Sequence, residues 1–207
     1  MGFRKTNYDK IKRTTSLNST NDQIKKIMIE SSNLILNSID LSEKIIGSVD
    51  EIVKCLKRGN KVVIFGNGGS AADAQHIAAE FVGRFQKERK SLPAISLTTD
   101  SSIITSLAND YSFDIVFSRQ CESLVSKGDL AIGISTSGKS KNVEEGIKTA
   151  KKKGAIAIGL LGGDGGTIKN LVDISIQVPS TNTARIQEVH RVVYHVICDL
   201  VEKELAK

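Results

Sequence analysis

The sequence predicts a doubly wound α/β fold: a five-stranded parallel sheet flanked by helices, with an N-terminal helical extension. Three observations carry this. Five compact apolar runs recur after residue 60. Most are apolar on consecutive residues and not on alternate ones, as expected of strands covered on both faces. Segments of helical spacing separate the runs, so the connections are crossovers and the strands run parallel. With 207 residues, 40% of them hydrophobic, the chain can bury one sizeable core, and one domain spanning residues 21–207 is expected after an N-terminal arm, residues 1–20.

The arm is polar and basic and reads as poorly ordered or loosely docked. From Asn21 to Arg58 the pattern turns helical. Ile24, Ile27, Met28, Leu34, Ile35, Ile39 and Leu41 recur at spacings of three, four and seven, and Ile45, Ile46, Val49, Ile52, Val53 and Leu56 continue the face, giving one long helix or two. The expected strands are KVVIFG (61–66), PAISL (93–97), DLAIGIS (129–135), AIAIGLLG (155–162) and DISIQVP (173–179). Helices are expected near 70–88, 113–127 and 142–153, and from about Ala184 to Glu204. In such a sheet, ligands bind beyond the carboxyl ends of the strands where the winding direction reverses, which directs attention to the loops after the first and third strands.

Composition excludes several classes. The net charge of +6 is spread along the chain, and aromatic residues make up 4% with no tryptophan, so there is neither a basic patch nor a stacking platform for nucleic acid. The densest run, Lys151 to Lys153, precedes Gly154, where cations complement a helix C-terminus. Cys55, Cys121 and Cys198 are an odd number without C-x-x-C spacing, which disfavours a disulfide framework or zinc knuckle and fits a reducing cytosol. No apolar run approaches the roughly 20 residues of a membrane span, and no apolar segment follows the basic N-terminus as in a secretory signal. A cytoplasmic protein with no membrane or nucleic-acid partner is expected. MGFRKT fits a myristoylation pattern and NST at Asn18 a glycosylation sequon, but both patterns are short and neither has a supporting membrane or export signal.

The loop after the first strand is GNGGS, Gly66 to Ser70. Its glycines allow close backbone approach, and the N–H groups of the next helix form an anion site. Gly66, Gly68 and Ala71 also satisfy a degenerate dinucleotide fingerprint, although its ribose-binding acid is poorly matched by Asp100. The loop after the third strand, STSGKS, places four hydroxyls in six residues before a helix, which suits a phosphate monoester. An ordinary Ser-rich turn with a helix cap is the plain alternative. GISTSGKS, Gly133 to Ser140, also satisfies the P-loop pattern, but Gly133 falls inside the expected strand and no apolar run ends directly in a magnesium-binding aspartate.

His76 and Glu80 stand at i and i+4, hence on one helix face. They form either a surface pair or a pair of metal-ligating or acid/base groups. The last helical segment offers Gln187, Glu188, His190 and His195 among apolar residues. A histidine near its buried face, as His195 is, would by itself read as a core residue.

GNGGSAADAQH, AAEFVGRF, AND, GISTSGKSKNV, GGDGG and TARIQEVHRVVYH resemble, in order and spacing, the sugar isomerase (SIS) domain proteins of the phosphoheptose isomerase group, from about Ile24 to the C-terminus. The resemblance implies a flavodoxin-like SIS domain that interconverts sedoheptulose 7-phosphate and D-glycero-D-manno-heptose 7-phosphate, the entry to heptose for lipopolysaccharide, capsule or other surface glycans. Residue by residue it implies metal ligands His76, Glu80, Gln187 and His195, with one zinc ion per subunit. Substrate contacts would come from Asn67, Gly68, Gly69, Ser70, Glu80, Asn109, Asp110, Ser135, Thr136, Ser137, Ser140 and Gln187, with Ser135 to Ser140 on the phosphate. It further implies a homotetramer with central N-terminal helices and active sites between subunits. Isomerisation through an enediol needs a base near carbon and an acid near oxygen, and Glu80 and His195 are the expected pair. Ala184 stands where some members carry an acidic residue.

Two alternatives come from the same superfamily. A non-enzymatic tetramer that binds the replication initiator DnaA shares the ARIQE motif but not the Glu and His pair, and both are present here. A sugar-phosphate-binding regulator would need a DNA-binding segment, for which the arm is too short.

Overall fold

The computed structural model describes residues 7–206, with side chains from Ser19 onward. Helix α1 (Asn7–Asn37) passes through a 3-10 turn (Ser38–Leu41) into α2 (Ser42–Lys57). The helical extension is thus two helices. α1 begins well before the expected Asn21, because the apolar period from which a helix is read starts only at Ile24. Residues 1–6 of the expected arm, which make up the first short modification pattern, and the Asn18 side chain of the second lie outside the described residues.

Five strands follow: β1 (Val62–Gly66), β2 (Ala94–Ser96), β3 (Leu130–Ser135), β4 (Ile156–Gly162) and β5 (Ile174–Val178). All pair in parallel in the order β2-β1-β3-β4-β5. The helices between and after them are α3 (Gly69–Val82), α4 (Ser101–Asp110), α5 (Val116–Leu124), α6 (Lys141–Lys152) and α7 (Thr183–Leu205). Expected strand bounds and observed ones agree to within a residue, and most of the runs are apolar on both faces. Val62 and Ile64 pack with α2, α3 and α7, whereas Val63 and Phe65 pack with α5 and α6. Successive side chains point to opposite faces, so the central strands β1, β3 and β4 each feed two cores.

Two helical expectations change. The segment near 70–88 ends at Val82, where the chain turns at Gly83. α4 went unread because it is only ten residues long and its short apolar stripe, Ile104, Leu107 and Ala108, is no more than partly buried. Asp100 caps its N-terminus by accepting from the Ile103 N–H at 2.9 Å. That is the role of the residue weighed as a ribose acceptor, and it removes the dinucleotide reading. Likewise Gly133 lies inside β3, opposite Phe65 and Gly159, so the P-loop pattern begins in a strand and not in a loop.

The three cysteines are free and buried, and burial raises their thiol pKa values, to about 11 for Cys55 and about 12 for Cys121 and Cys198. No helix among the described residues is long and apolar enough to cross a membrane.

Candidate active site

The chain winds from β1 outward to β2, then returns past β1 to β3 and proceeds to β5. The direction reverses between β1 and β3, so the loops after these neighbouring strands border one crevice. In the first loop Gly68 has φ +57 and ψ −121, a left-handed conformation that a side chain would strain, and the turn delivers the chain directly into α3. Gly68 and Gly69 are exposed, while Ser70 is buried at 3% and faces the interior. Asn67 reaches across to α6: its Nδ2 donates to Asn142 Oδ1 at 2.8 Å, and Asn142 Nδ2 donates back to Asn67 Oδ1 at 2.9 Å. This reciprocal amide pair joins the two loops.

In the second loop the hydroxyls converge. Ser135 Oγ lies 2.9 Å from Ser140 Oγ and 3.5 Å from Ser137 Oγ, and the Lys139 N–H donates to Ser137 Oγ at 3.2 Å. Ser140 precedes α6 without using its side chain to cap the helix, which leaves that hydroxyl directed into the cluster. The plain helix-cap alternative therefore does not describe it. Gly138, at φ +63, lies so close to Gly165 and Gly166 that a Cβ would overlap their backbone, and its carbonyl accepts from the Ile168 N–H at 3.1 Å. The GGDGG loop thus braces the hydroxyl loop from behind. A cavity of about 490 Å3 opens between them, lined by Thr136, Ser137, Lys139, Gly163 and Asp164 among others.

α3 and α7 pack on the same face of the sheet, and their seam gathers the ionisable groups. His76 Nε2 and Glu80 Oε1 are 2.9 Å apart. The His195 ring stands edge-on to His76, with centroids 5.1 Å apart. One ligand atom from each of His76, Glu80 and His195 lies within 4.8 Å of the others. Two imidazoles and one carboxylate with a free side are a donor set that suits a zinc-like divalent cation with a position left for substrate. Gln187, two helical turns before His195 on α7, lies against Gly69, where a Cβ would strike its amide.

His195 is partly exposed, and the fully buried histidine is His190, whose Nε2 lies 3.1 Å from the Leu161 carbonyl oxygen. Burial first, then the neighbouring His76, lowers the His195 pKa below the usual imidazole value, against the pull of Glu80. A neutral imidazole still carries one N–H to donate. Asn109 and Asp110 end α4 on the surface, joined by an Asn109 Nδ2 to Asp110 Oδ1 bond of 2.8 Å.

Several supporting groups escaped the sequence. Tyr194 O–H lies 3.0 Å from His76 Nδ1 and 3.3 Å from Asp73 Oδ1, and Arg191 donates to the same Asp73 oxygen at 3.3 Å. The chain after α3 is held by Glu202, which accepts from the N–H groups of Phe85, Gln86 and Lys87 at 2.8, 2.7 and 2.6 Å and from Arg89 Nε at 3.2 Å. This places Phe85 over His195, with ring centroids 5.7 Å apart. Arg89 in turn donates to the Glu80 carbonyl at 2.8 Å. The Asp73–His76–Glu80 spacing on α3 was a readable signal for the first group, whereas nothing local marked Glu202.

The SIS domain family matches residues 29–162. The phosphoheptose isomerase of Geobacter metallireducens is 54% identical over 168 residues, 81% of this chain and 89% of that one. That of Aquifex aeolicus is 52% identical over 183 residues, 88% and 96% respectively. Among solved structures, the phosphoheptose isomerase of Neisseria gonorrhoeae superposes with a TM-score of 0.85 at 39% identity, covering 89% of this chain and 99% of that chain. The Francisella tularensis enzyme gives 0.86 at 34%, covering 89% and 98%. With the parallel sheet, the two switch-point loops and the His–Glu–His cluster already in place, this likeness in sequence and fold means that the chain belongs to the phosphoheptose isomerase family of SIS-domain proteins, which are aldose–ketose isomerases.

Proposed function

We propose that the site converts sedoheptulose 7-phosphate to D-glycero-D-manno-heptose 7-phosphate, the first step toward nucleotide-activated heptose. The supporting observation is the meeting of His76, Glu80 and His195 beside two loops built for a sugar phosphate. The Ser135, Ser137 and Ser140 hydroxyls, with Thr136, hold the phosphate, and Asn67, Gly68, Gly69 and Gln187 line the sugar. Glu80 removes the C1 proton of the ketose while His195 donates to the C2 oxygen, giving the enediol. Loss of the O1 proton and return of a proton to C2 yield the aldose, so no atom is gained or lost. His76, Glu80 and His195 would hold a zinc ion, with Gln187 as a further ligand, and when bound it supplies Lewis-acid polarisation of the substrate oxygens. Nothing in the site favours the initiator-binding alternative.

The reading extends to assembly. Ile39 and Ile46 are exposed at 66% and 55%, and with Leu36, Val192 and Val196 they line an apolar groove between the N-terminal helices and α7. An apolar patch of this kind is a contact surface, and a cytoplasmic homotetramer would cover it while bringing Asn109 and Asp110 to a neighbour's site. Light scattering of the purified protein checks the mass.

The direct test is NMR-monitored turnover of sedoheptulose 7-phosphate, with zinc added or chelated. Appearance of the aldoheptose phosphate is expected, and no turnover in any metal condition would overturn the reading. Ser137→Ala should mainly raise KM, by about 5- to 10-fold for one lost hydrogen bond worth about 1 kcal/mol. A change confined to kcat would show that Ser137 does not bind the ground state.

A further inference from the structure

Two buried polar atoms in the α3–α7 seam invite explanation. Asp73 is 2% exposed, and its Oδ2 has no hydrogen-bond partner, while its Oδ1 is shared by Arg191 and Tyr194. Tyr194, itself 1% exposed, has one hydroxyl proton and two acceptors within reach. A phenolic hydroxyl keeps its proton at neutral pH.

The His76 imidazole links this pair to the site. Its Nε2 faces the Glu80 carboxylate at 2.9 Å. A carboxylate only accepts, so with the cation absent the Nε2–H tautomer fits Glu80 and leaves Nδ1 to accept from Tyr194. Ligation through Nε2 requires the opposite tautomer, with Nδ1 protonated. Nδ1–H then needs an acceptor, and the Tyr194 oxygen serves only if its own proton turns to Asp73. Asp73 Oδ1, 3.3 Å from the Tyr194 oxygen, is the acceptor in place for that turn.

We propose that Tyr194 and Asp73 form a hydrogen-bond switch that selects the metal-ligating tautomer of His76, Tyr194 donating to His76 Nδ1 in the empty site and to Asp73 when Nε2 binds a divalent cation. Both are positioning residues, acting on the site only through His76. The inference rests on the metal-binding reading of His76, Glu80 and His195.

The chain has three histidines, so the tautomers can be read directly by long-range 1H–15N correlation spectra of 15N-histidine-labelled protein. His76 is assigned with His76→Gln, and the buried His190 reports on the fold. Without metal, His76 should show the Nε2–H tautomer, and with zinc the Nδ1–H tautomer. In Tyr194→Phe, zinc affinity from chelator competition should fall about 10- to 100-fold, with His190 shifts unchanged. Equal zinc affinity in wild type and Tyr194→Phe, or a zinc-loaded wild type that keeps Nε2–H, would overturn the switch while leaving the metal site intact. A wild-type protein that binds no zinc would overturn the metal reading and the switch together, and is told apart because the two proteins then fail alike.

Discussion

Glu80→Gln is expected to lower turnover of sedoheptulose 7-phosphate by about 10²- to 10⁴-fold, the usual contribution of a positioned base. The amide has nearly the same shape but does not take up a proton from carbon. Glu80 is held from two sides, by His76 Nε2 at its carboxylate and by Arg89 at its carbonyl, so the substitution leaves the helix and the rest of the crevice in place. Sugar-phosphate affinity, which we assign to the hydroxyl loop, should be little changed in titration calorimetry. The assay uses excess zinc, because on the proposed metal-binding role of Glu80 the variant also removes a ligand. Near-normal turnover would mean that another group is the base.

Glu202→Ala should destabilise the fold by about 3–5 kcal/mol, the cost of stranding a buried charge. The Arg89 and Glu202 side chains are 4% and 2% exposed, and the carboxylate also accepts from three consecutive N–H groups that would lose their acceptor. Urea denaturation measures the loss, and a change below about 1 kcal/mol would show that water replaces the carboxylate readily. Turnover should fall as well, since the freed segment carries Phe85 away from His195.

The same carboxylate predicts an acid limit. Burial pushes the Glu202 pKa up, but the N–H groups of Gln86, Phe85 and Lys87 and the Arg89 charge together outweigh it, and the net direction is down. A carboxyl depressed in the folded state stabilises fully above its unfolded value, about 4.3, and the contribution is lost as pH falls through the folded value below that. Wild-type stability should therefore decline on acidification below about pH 4, and the part due to Glu202 should be absent from Glu202→Ala. An unchanged slope in the variant would assign the acid loss to other carboxyls.

What could be read before folding follows from range. Strand positions were legible to within about a residue because burial on both faces leaves a continuous apolar run. His76 and Glu80 were legible as a pair because one helical turn aligns them. α4 was not, since its stripe is short and only partly buried, and neither was the Glu202 anchor, whose partners lie 113 to 117 residues away.

From the sequence alone came the five strands in order, most of the helices between them, and the chemistry of the loops after the first and third strands. These depend on periodicity and composition, which neighbours along the chain determine. Tertiary packing decided the rest. Only the seating of α3 against α7 brings His195 beside His76 and Glu80, puts Tyr194 between His76 and Asp73 across 118 and 121 residues of chain, and leaves Gln187 at Gly69. Such contacts follow from how two helices share one face of a sheet, which no local pattern records.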